Sequence, residues 1–449
     1  MVAIQKTNKR AQIIGRNKFI RLFIFYLIYT WAIIHTYDSQ IAESNAYAGM
    51  FPWEMTIAGW ICMSIIFPVL VLITSNLKGY PSDFFIIFYS AIPILAFCTL
   101  TSTSGKITNN ILLPSIFVVI LPLFSLIVMK MFFPKIKWRG IISSKIIDQV
   151  LLVVLLLVIA YSYMYSPESA GFDIINSYDR RMEGRDIYAA GSLIAYAQMM
   201  CMNGFTPYLA YRGSLKRQSS LICVAFAVAL FFYWLLGVKS PLVYVLVGCV
   251  VGYLIGRNSQ KNFVNYFIAG IVGLYFFVLI EWWLSVEYSL IVEYGFRRLF
   301  AVQAQIQGYY LDFLLINSPS FWNFLSGVHE QSFSATYYIG GNYMGDLNSN
   351  ANTNAFLYAF VANGVLGYLA AIFFVTIFLV LLDRLYRATK NPTYILIGFI
   401  YGYLITEQAF LTAFVSSGVG FLFLLTFIEK FDISTADILG VDYFEREFS

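Results

Sequence analysis

Long apolar stretches alternate with short polar segments along almost the whole chain. An apolar run of about 18 or more residues can form a helix that crosses the roughly 30 Å hydrocarbon core of a membrane. The predicted spans, about twelve in number, are residues 19–37, 54–75, 83–101, 110–132, 146–165, 187–211, 219–236, 241–256, 263–285, 355–382, 393–407 and 409–429. The pattern therefore predicts an all-α, polytopic membrane protein whose residues 1–449 form a single integral membrane domain.

Lysine and arginine are distributed unequally between the two sets of alternate loops. If the N-terminus is cytoplasmic, the inner segments hold 22 of the 29 basic residues and the outer loops hold seven. Basic loops stay preferentially on the cytoplasmic side of the membrane. We therefore predict cytoplasmic N- and C-termini in the bacterial inner membrane. The first apolar run lacks a small-residue cleavage pattern, so we expect a retained helix rather than a signal peptide.

The composition supports this class of protein. The chain is 59% hydrophobic and only 12% charged, which no water-soluble globular domain resembles. Its net charge of +5 is explained by the loop bias, so no nucleic-acid partner is expected. All five cysteines lie inside apolar segments without pair spacing, which predicts neither disulfides nor a thiolate metal site.

Two predicted outer loops are long, the third (166–186) and the fifth (286–354), which separates predicted helices 9 and 10. Long external loops often carry the chemistry of a helical membrane protein. The fifth has helical periodicity through residues 307–315 and then breaks at Pro319. The Gly- and Asn-rich tract over residues 340–354 predicts turns.

Five of the seven outer basic residues are arginines, against the usual insertion preference. They are Arg180, Arg181, Arg185, Arg297 and Arg298. Ion pairs with nearby Asp or Glu residues, or contacts with lipid headgroups, would be a structural explanation. Repetition favours a functional one, because RRMEGRDIYAAG and RRLFAVQAQIQG both place a glycine eleven positions after the first arginine. On one helix such an arginine and glycine would share a face and could flank one extended ligand.

This doubled Arg-x10-Gly pattern resembles the Wzy-type polymerases of O-antigen and other lipid-linked oligosaccharides. A second resemblance lies in the segment NTNAFLYAFVANGVLGYLAAIFF, where Asn354 opens a predicted helix and Gly364 and Gly367 follow within it. A third is VKSP, where Lys239 stands in place of the arginine that many members carry. The histidine that often precedes the asparagine is Thr353 here.

The resemblance implies a GT-C-like glycosyltransferase that acts at the outer, periplasmic face. Donor and acceptor would both be undecaprenyl diphosphate-linked oligosaccharides, with membrane lipids and a chain-length regulator protein as further partners. Arginine suits a diphosphate because its planar fork grips phosphate oxygens and keeps its charge. The diphosphate candidates are Arg180, Lys239 and Arg297, with Arg181, Arg298 and Arg185 in reserve. The candidates for other substrate contacts are Gly191, Gly308 and Asn354.

Transfer to a hydroxyl also needs a group that accepts its proton. The candidate pair in the fifth loop is His329 and Glu330, as base or acceptor ligand, with Asp179, Glu183, Glu293 and Asp346 as rivals. The outer loops hold no Asp-x-Asp pair and no histidine cluster, so we expect neither a metal nor another cofactor. The outer aromatic residues would stack on sugars or form the interfacial belt.

Three other classes of protein remain as alternatives. An O-antigen ligase would share the fold and the arginines but transfer to a lipid A core. A flippase or transporter usually carries ionisable residues near the membrane midplane, whereas Asp148, Glu281 and Glu407 lie toward the ends of predicted spans. A membrane O-acyltransferase needs an intramembrane histidine, which neither His35 nor His329 provides.

Overall fold

The structure, a computed structural model, is almost entirely helical and contains five π-helical segments. It describes residues 2–100, 109–173, 176–189, 191–257, 259, 262–284, 289, 291–315, 335–345 and 349–430. The α-helices are α1 (Val2–Thr36), α2 (Ile57–Ser75), α3 (Pro81–Tyr89), α4 (Phe97–Leu100), α5 (Asn109–Phe132), α6 (Ser144–Met164), α7 (Ser177–Ile187), α8 (Leu193–Met200), α9 (Thr206–Lys216), α10 (Ser219–Leu236), α11 (Ser240–Gly256), α12 (Phe263–Trp283), α13 (Val302–Leu315), α14 (Ala335–Met344), α15 (Ala355–Thr389), α16 (Thr393–Leu404) and α17 (Val419–Ile428).

The π-helical segments are Tyr37–Ile41, Ser90–Ala96, Cys201–Phe205, Val292–Ala301 and Thr412–Ser416. A short 3₁₀ helix covers Ala46–Ala48. Two short strands, β1 (Ile142–Ser143) and β2 (Glu429–Lys430), pair in parallel.

Eight helical segments of the described chain are long and apolar enough to cross a membrane. They are Phe19–Ile41, Ile57–Ser75, Pro81–Leu100, Leu112–Phe132, Ser144–Met164, Ser219–Leu236, Phe263–Trp283 and Ala355–Thr389. The shorter helices α11, α16 and α17 are also apolar and coincide with three further predicted spans. The chain is therefore a polytopic membrane protein, while the predicted number of twelve spans is not established.

The sixth predicted span, 187–211, differs most from the structure. Helix α7 ends at Ile187, and α8 begins only at Leu193, after the capping residue Ser192. From there α8, a π-helical segment and α9 follow without interruption to Lys216. The predicted span thus begins where a helix ends, because the apolar run continues across a turn that hydrophobicity alone does not mark.

The polar contacts on one side of the bundle join segments predicted to share one face. Lys130 lies 2.8 Å from a carboxylate oxygen of Asp83 and 3.4 Å from one of Asp383. Arg212 likewise bridges two carboxylates, Asp148 at 3.0 Å and Glu429 at 3.3 Å. The distribution of Lys and Arg between alternate loops predicts that all these helix ends lie at the inner face. The contacts therefore agree with spans that run in alternating directions across the membrane.

Two pairs of glycines let helices cross at close range. A Cβ atom on Gly398 of α16 would lie 2.4 Å from the carbonyl oxygen of Pro81 in α3, and one on Gly402 would lie 2.9 Å from a Phe85 backbone atom. Gly248 and Gly252 of α11 approach the backbone of α9 in the same way. Both pairs have the Gly-x-x-x-Gly spacing typical of close helix crossings in membranes.

The predicted fifth outer loop contains a central helix of the bundle rather than a surface excursion. Every residue of α13 from Gln303 to Leu314 is buried, and α13 packs against α4, α15 and the segment Ser90–Ala96. The helix ends at Leu315, near the break predicted at Pro319, which lies outside the described residues. The loop therefore helps to build the interior of the protein.

The prediction of turns over residues 340–354 is wrong for its first part. Helix α14 continues to Met344, and Gly345, with a φ of +73°, follows it. Packing overrides the low helix propensity of this tract. The ring of Tyr343 stacks on that of Tyr309 with centroids 5.1 Å apart, and its hydroxyl donates to Asp312 at 2.8 Å.

Asn354 opens α15, as predicted. Its Oδ1 atom accepts hydrogen bonds from the backbone N–H groups of Phe356 and Leu357, both at 3.1 Å. Its Nδ2 atom donates to Oε1 of Gln307 in α13 at 3.0 Å. Within α15 the backbone breaks near Gly364, where φ is +63°. The asparagine thus caps one helix and fastens it to the buried helix of the fifth loop.

We expect Gly398→Ala to destabilise the protein by about 1–3 kcal/mol, because the added methyl group overlaps the backbone of α3. Thermal unfolding in detergent measures the change. Gly270→Ala in α12 is the matched control, since no atom lies within 4 Å of its added Cβ. Equal melting temperatures for the two variants would contradict the close crossing.

Asn354→Ala removes a helix cap, and we expect it to cost about 1 kcal/mol or more, because it also leaves the buried Gln307 without this donor. Asn352→Ala is the control, because that side chain is exposed and makes no hydrogen bond to a described residue. The same unfolding assay compares them. If Gln307→Ala and Asn354→Ala have additive effects in the double variant, the proposed link between the two helices is wrong.

Candidate functional site: a cluster of outer cations

The π-helical segment Val292–Ala301 carries two neighbouring arginines in different environments. Arg297 is partly buried and forms a two-pronged ion pair with Glu293, one turn earlier. Its Nε atom donates to Oε2 of Glu293 at 2.6 Å, and its Nη2 atom donates to Oε1. This carboxylate neutralises and orients Arg297.

Arg298 is exposed and makes no hydrogen bond or ion pair with a described residue. Side chains of adjacent helical residues point in different directions, so it faces away from Glu293. Its charge acts on Arg181 of α7 and on Glu407, in the turn after α16. Arg298 is therefore positioned to meet charged groups of two distant segments.

Helix α7 contributes two more cations to this region. Arg181 and Arg185 are both exposed and are separated by one helical turn, so their charges repel each other. Partial desolvation, together with the charges of Arg185 and Arg298, lowers the pKa of the Arg181 guanidinium. Arginine stays protonated at physiological pH despite such a shift. The arrangement would be relieved by an anion lying between the arginines.

Lys239 joins the same region from the start of α11. Its ammonium group lies 5.1 Å from the ring centre of Tyr294, a cation–π contact with the π-helical segment. Tyr294 lies four residues before Arg298 in the same segment. Glu293 and Arg297 have the same separation in sequence, and their side chains are in contact. The preceding turn touches α7, since a Cβ atom on Gly237 would lie 2.3 Å from the carbonyl oxygen of Ser177.

We call Arg181, Arg185, Lys239 and Arg298 the outer cation cluster. No carboxylate of the described chain lies within ion-pair distance of any of them. All four are exposed, and they come from three segments that are distant in sequence. Such a set of cations can bind a polyanion such as a diphosphate.

Arg180 points into the protein instead of toward the cluster. It is only 1% exposed, and its Nη2 atom donates to the carbonyl oxygen of Asp173 at 2.6 Å. Its guanidinium lies 5.7 Å from the ring centre of Tyr233 in α10, while its buried Nε atom has no hydrogen-bond partner in the part of the chain that the structure describes. In this conformation Arg180 fastens α7 to α10, and Arg181 is the accessible arginine of the pair.

The structure corrects the helical geometry inferred for the repeated Arg-x10-Gly pattern. Arg180 and Gly191 do not share a helix, because α7 ends at Ile187 and Gly191 follows with a φ of +88°. Arg297 and Gly308 do lie in one continuous helix, but its first part is π-helical, which changes the rotation per residue. The glycines consequently do not lie on the faces that regular α-helices would give.

The other candidates for substrate contact are distributed differently from the cluster. Gly191 is exposed, with open space around it, whereas Gly308 is buried in α13. Asn354 is fully buried and uses its side chain for the contacts that open α15. His329 and Glu330 lie outside the described residues.

Glu407 is a candidate that the sequence did not single out. Its partly buried side chain accepts a 2.9 Å hydrogen bond from the hydroxyl of Tyr403, at Oε1. Arg298 acts on it electrostatically. A carboxylate beside cations can accept a proton while they hold an anionic leaving group. From the sequence Glu407 resembles any polar residue at a span end, and its approach to Arg298 depends on tertiary packing across more than a hundred residues.

Comparisons with models of known protein families, with curated proteins and with solved structures find no match to this chain. The interpretation of the cluster therefore depends on its own geometry and on the sequence pattern.

We expect inorganic diphosphate to stabilise the wild-type protein by binding the outer cation cluster. Occupancy at ten times Kd corresponds to about 1.4 kcal/mol, which thermal unfolding at low ionic strength can detect. Arg298→Gln should diminish the stabilisation by diphosphate, because it removes one of the four cations of the cluster.

Arg257→Gln is the control for this measurement. Arg257 also lies over a tyrosine ring, that of Tyr253 at 4.7 Å, but it belongs to a segment that the sequence predicts to lie on the opposite side of the membrane. An Arg257→Gln variant that lost the diphosphate effect as fully as Arg298→Gln would show that the cluster is not the binding site.

Proposed function

We propose that the protein is a bacterial inner-membrane glycosyltransferase with GT-C-like architecture that polymerises lipid-linked oligosaccharide repeat units at the outer face. The observation that carries this proposal is the outer cation cluster, four exposed cations without a carboxylate partner in the described chain, beside the carboxylate of Glu407. The repeated Arg-x10-Gly pattern supports it from the sequence.

The donor in this reaction is a glycan on undecaprenyl diphosphate, and the acceptor is a sugar hydroxyl of an incoming lipid-linked repeat unit. The acceptor oxygen attacks the anomeric carbon of the donor and forms the new glycosidic bond. The bond from that carbon to the diphosphate oxygen breaks, and undecaprenyl diphosphate leaves with the electron pair. Attack opposite the leaving group inverts the anomeric configuration.

The cluster would stabilise the leaving diphosphate. Negative charge grows on the bridging oxygen as the bond breaks, and cations already in position stabilise it without reorganisation. Arg298 and Arg181 are the best placed of the arginines, because they are exposed and carry no carboxylate partner. Lys239 would add a third charge. Arg297 and Arg180 would act in support, by fixing the two segments that present their neighbours.

Glu407 would accept the proton of the acceptor hydroxyl. Its hydrogen bond from Tyr403 holds the carboxylate in place. Burial raises the pKa of the Glu407 carboxyl, which makes it a stronger base, while this hydrogen bond and the charge of Arg298 oppose the rise. His329 and Glu330, which the sequence suggests for this role, lie outside the described residues. A carboxylate base and fixed cations suffice for the transfer, so the proposal needs no metal ion.

The test is incubation of the purified protein with a lipid-linked repeat unit, followed by gel separation of the products. We expect a ladder of polymers. Arg298→Ala and Arg181→Ala should each lower the rate by about 10²–10³-fold. Glu407→Gln, which preserves shape but cannot accept the proton, should lower it by about 10²–10⁴-fold. Arg257→Ala should leave the ladder unchanged.

Other outcomes would identify the alternatives. Transfer of glycan to a lipid A core without a ladder would favour an O-antigen ligase. Movement of the intact lipid-linked unit across a vesicle membrane, without new glycosidic bonds, would favour a flippase. A normal ladder from both arginine variants would refute the role of the cluster in catalysis.

A further inference from the structure

A polar cavity opens next to the cation cluster. Its volume is about 750 Å³, and it lies between the segment that follows α1 and the end of α12 with the π-helical segment after it. Its lining includes Gln40, Glu43, Tyr47, Trp282 and Glu293. The volume falls in the range of small-ligand sites, about 300–1,000 Å³.

The lining combines hydrogen-bonding groups with exposed aromatic rings. The Nε2 atom of Gln40 is buried and has no hydrogen-bond partner among the described residues, so a ligand acceptor would satisfy it. Glu43 is exposed and forms no ion pair with a described residue. Trp282 is 62% exposed and Tyr47 is 85% exposed. Flat rings with polar edges, next to amide and carboxylate groups, suit the apolar faces and hydroxyl rims of sugars.

The cavity and the cluster share Glu293. One side of this residue lines the cavity, while its carboxylate holds Arg297, the neighbour of Arg298. The cavity and Arg298 of the cluster therefore belong to the same π-helical segment, Val292–Ala301. One segment could in this way take part in holding both the hydroxyl-rich part and the diphosphate of a substrate.

We propose that this cavity binds the glycan of the acceptor, specifically neutral or amino sugars. Glu43, the lining carboxylate without an ion pair in the described chain, favours hydroxyl and ammonium donors and disfavours acidic sugars. Glu293 is already neutralised by Arg297 and can add only its remaining acceptor positions for hydroxyl groups. Gln40 supplies a donor to a sugar oxygen, and Trp282 supplies a stacking surface. The claim that this glycan is the acceptor rests on the proposed function, whereas the claim that the cavity binds a sugar does not.

The experiment measures binding of a glycan that carries neither lipid nor phosphate, so that the cation cluster contributes nothing. The probe is the repeat-unit oligosaccharide released by mild acid from the lipid-linked pool of the native cells, titrated into the full-length protein in detergent. Saturation-transfer NMR or calorimetry gives the Kd. We expect Trp282→Ala and Gln40→Leu each to weaken binding at least tenfold, and Trp282→Phe to restore most of it.

Trp283→Ala is the matched control, because the adjacent Trp283 is 78% exposed but does not line the cavity. Equal Kd values for Trp282→Ala and Trp283→Ala would overturn the proposal. So would tighter binding of an acidic oligosaccharide than of a neutral one of the same length.

The two proposals can fail separately. A polymer ladder together with unaffected glycan binding in Trp282→Ala would remove the cavity assignment and leave the polymerase. Glycan binding that depends on Trp282 and Gln40, without a ladder, would keep the sugar site and remove the polymerase.

Discussion

A charged or polar group inside a membrane protein has no bulk water to turn to, so it must find its partner within the chain. The helix ends that are predicted to lie on the inner side follow this constraint. Lys130 lies between two carboxylates, and Arg212 lies between two others. The outer cation cluster contrasts with these pairs, because its four cations are exposed and have no carboxylate in ion-pair range in the described chain. A mobile anion that completes the site during function would offset the repulsion between its like charges.

The two arginine pairs, Arg180 with Arg181 and Arg297 with Arg298, share one arrangement. In each pair the first residue is fixed by the protein, Arg180 by the carbonyl oxygen of Asp173 and a tyrosine ring, Arg297 by Glu293. The second residue, Arg181 or Arg298, is exposed. Adjacent helical side chains point about 100° apart, so one arginine can hold the segment while the next faces a ligand. An arginine presented in this way loses less conformational freedom on binding than one on an unattached loop.

The sequence predicts those parts of the structure that depend on local hydrophobicity. Eight predicted spans coincide with long apolar helices, and Asn354 opens a helix as its cap chemistry requires. The sequence fails where packing decides. The helix through Gly340 to Met344 is supported by the contacts of Tyr343 with Tyr309 and Asp312. The break between Ile187 and Leu193 is marked only by Gly191 and the capping Ser192, and hydrophobicity alone does not show it. For the site, outer arginines could be found by counting charges. Which arginine of each pair is exposed, and the approach of Arg298 to Glu407, follow only from tertiary contacts.

Glu293 connects the two halves of the outer surface. A carboxylate offers about four acceptor positions. The positions with which Glu293 binds Arg297 are therefore not available to sugar hydroxyl groups. A sugar in the cavity would therefore compete for part of the chelating pair and loosen Arg297, whose segment also carries Arg298 and Tyr294. Such competition would make the position of the cations depend on whether an acceptor is bound. Linkage requires the converse as well: a diphosphate that fixes Arg298 would alter the affinity of the cavity for sugar by the same factor.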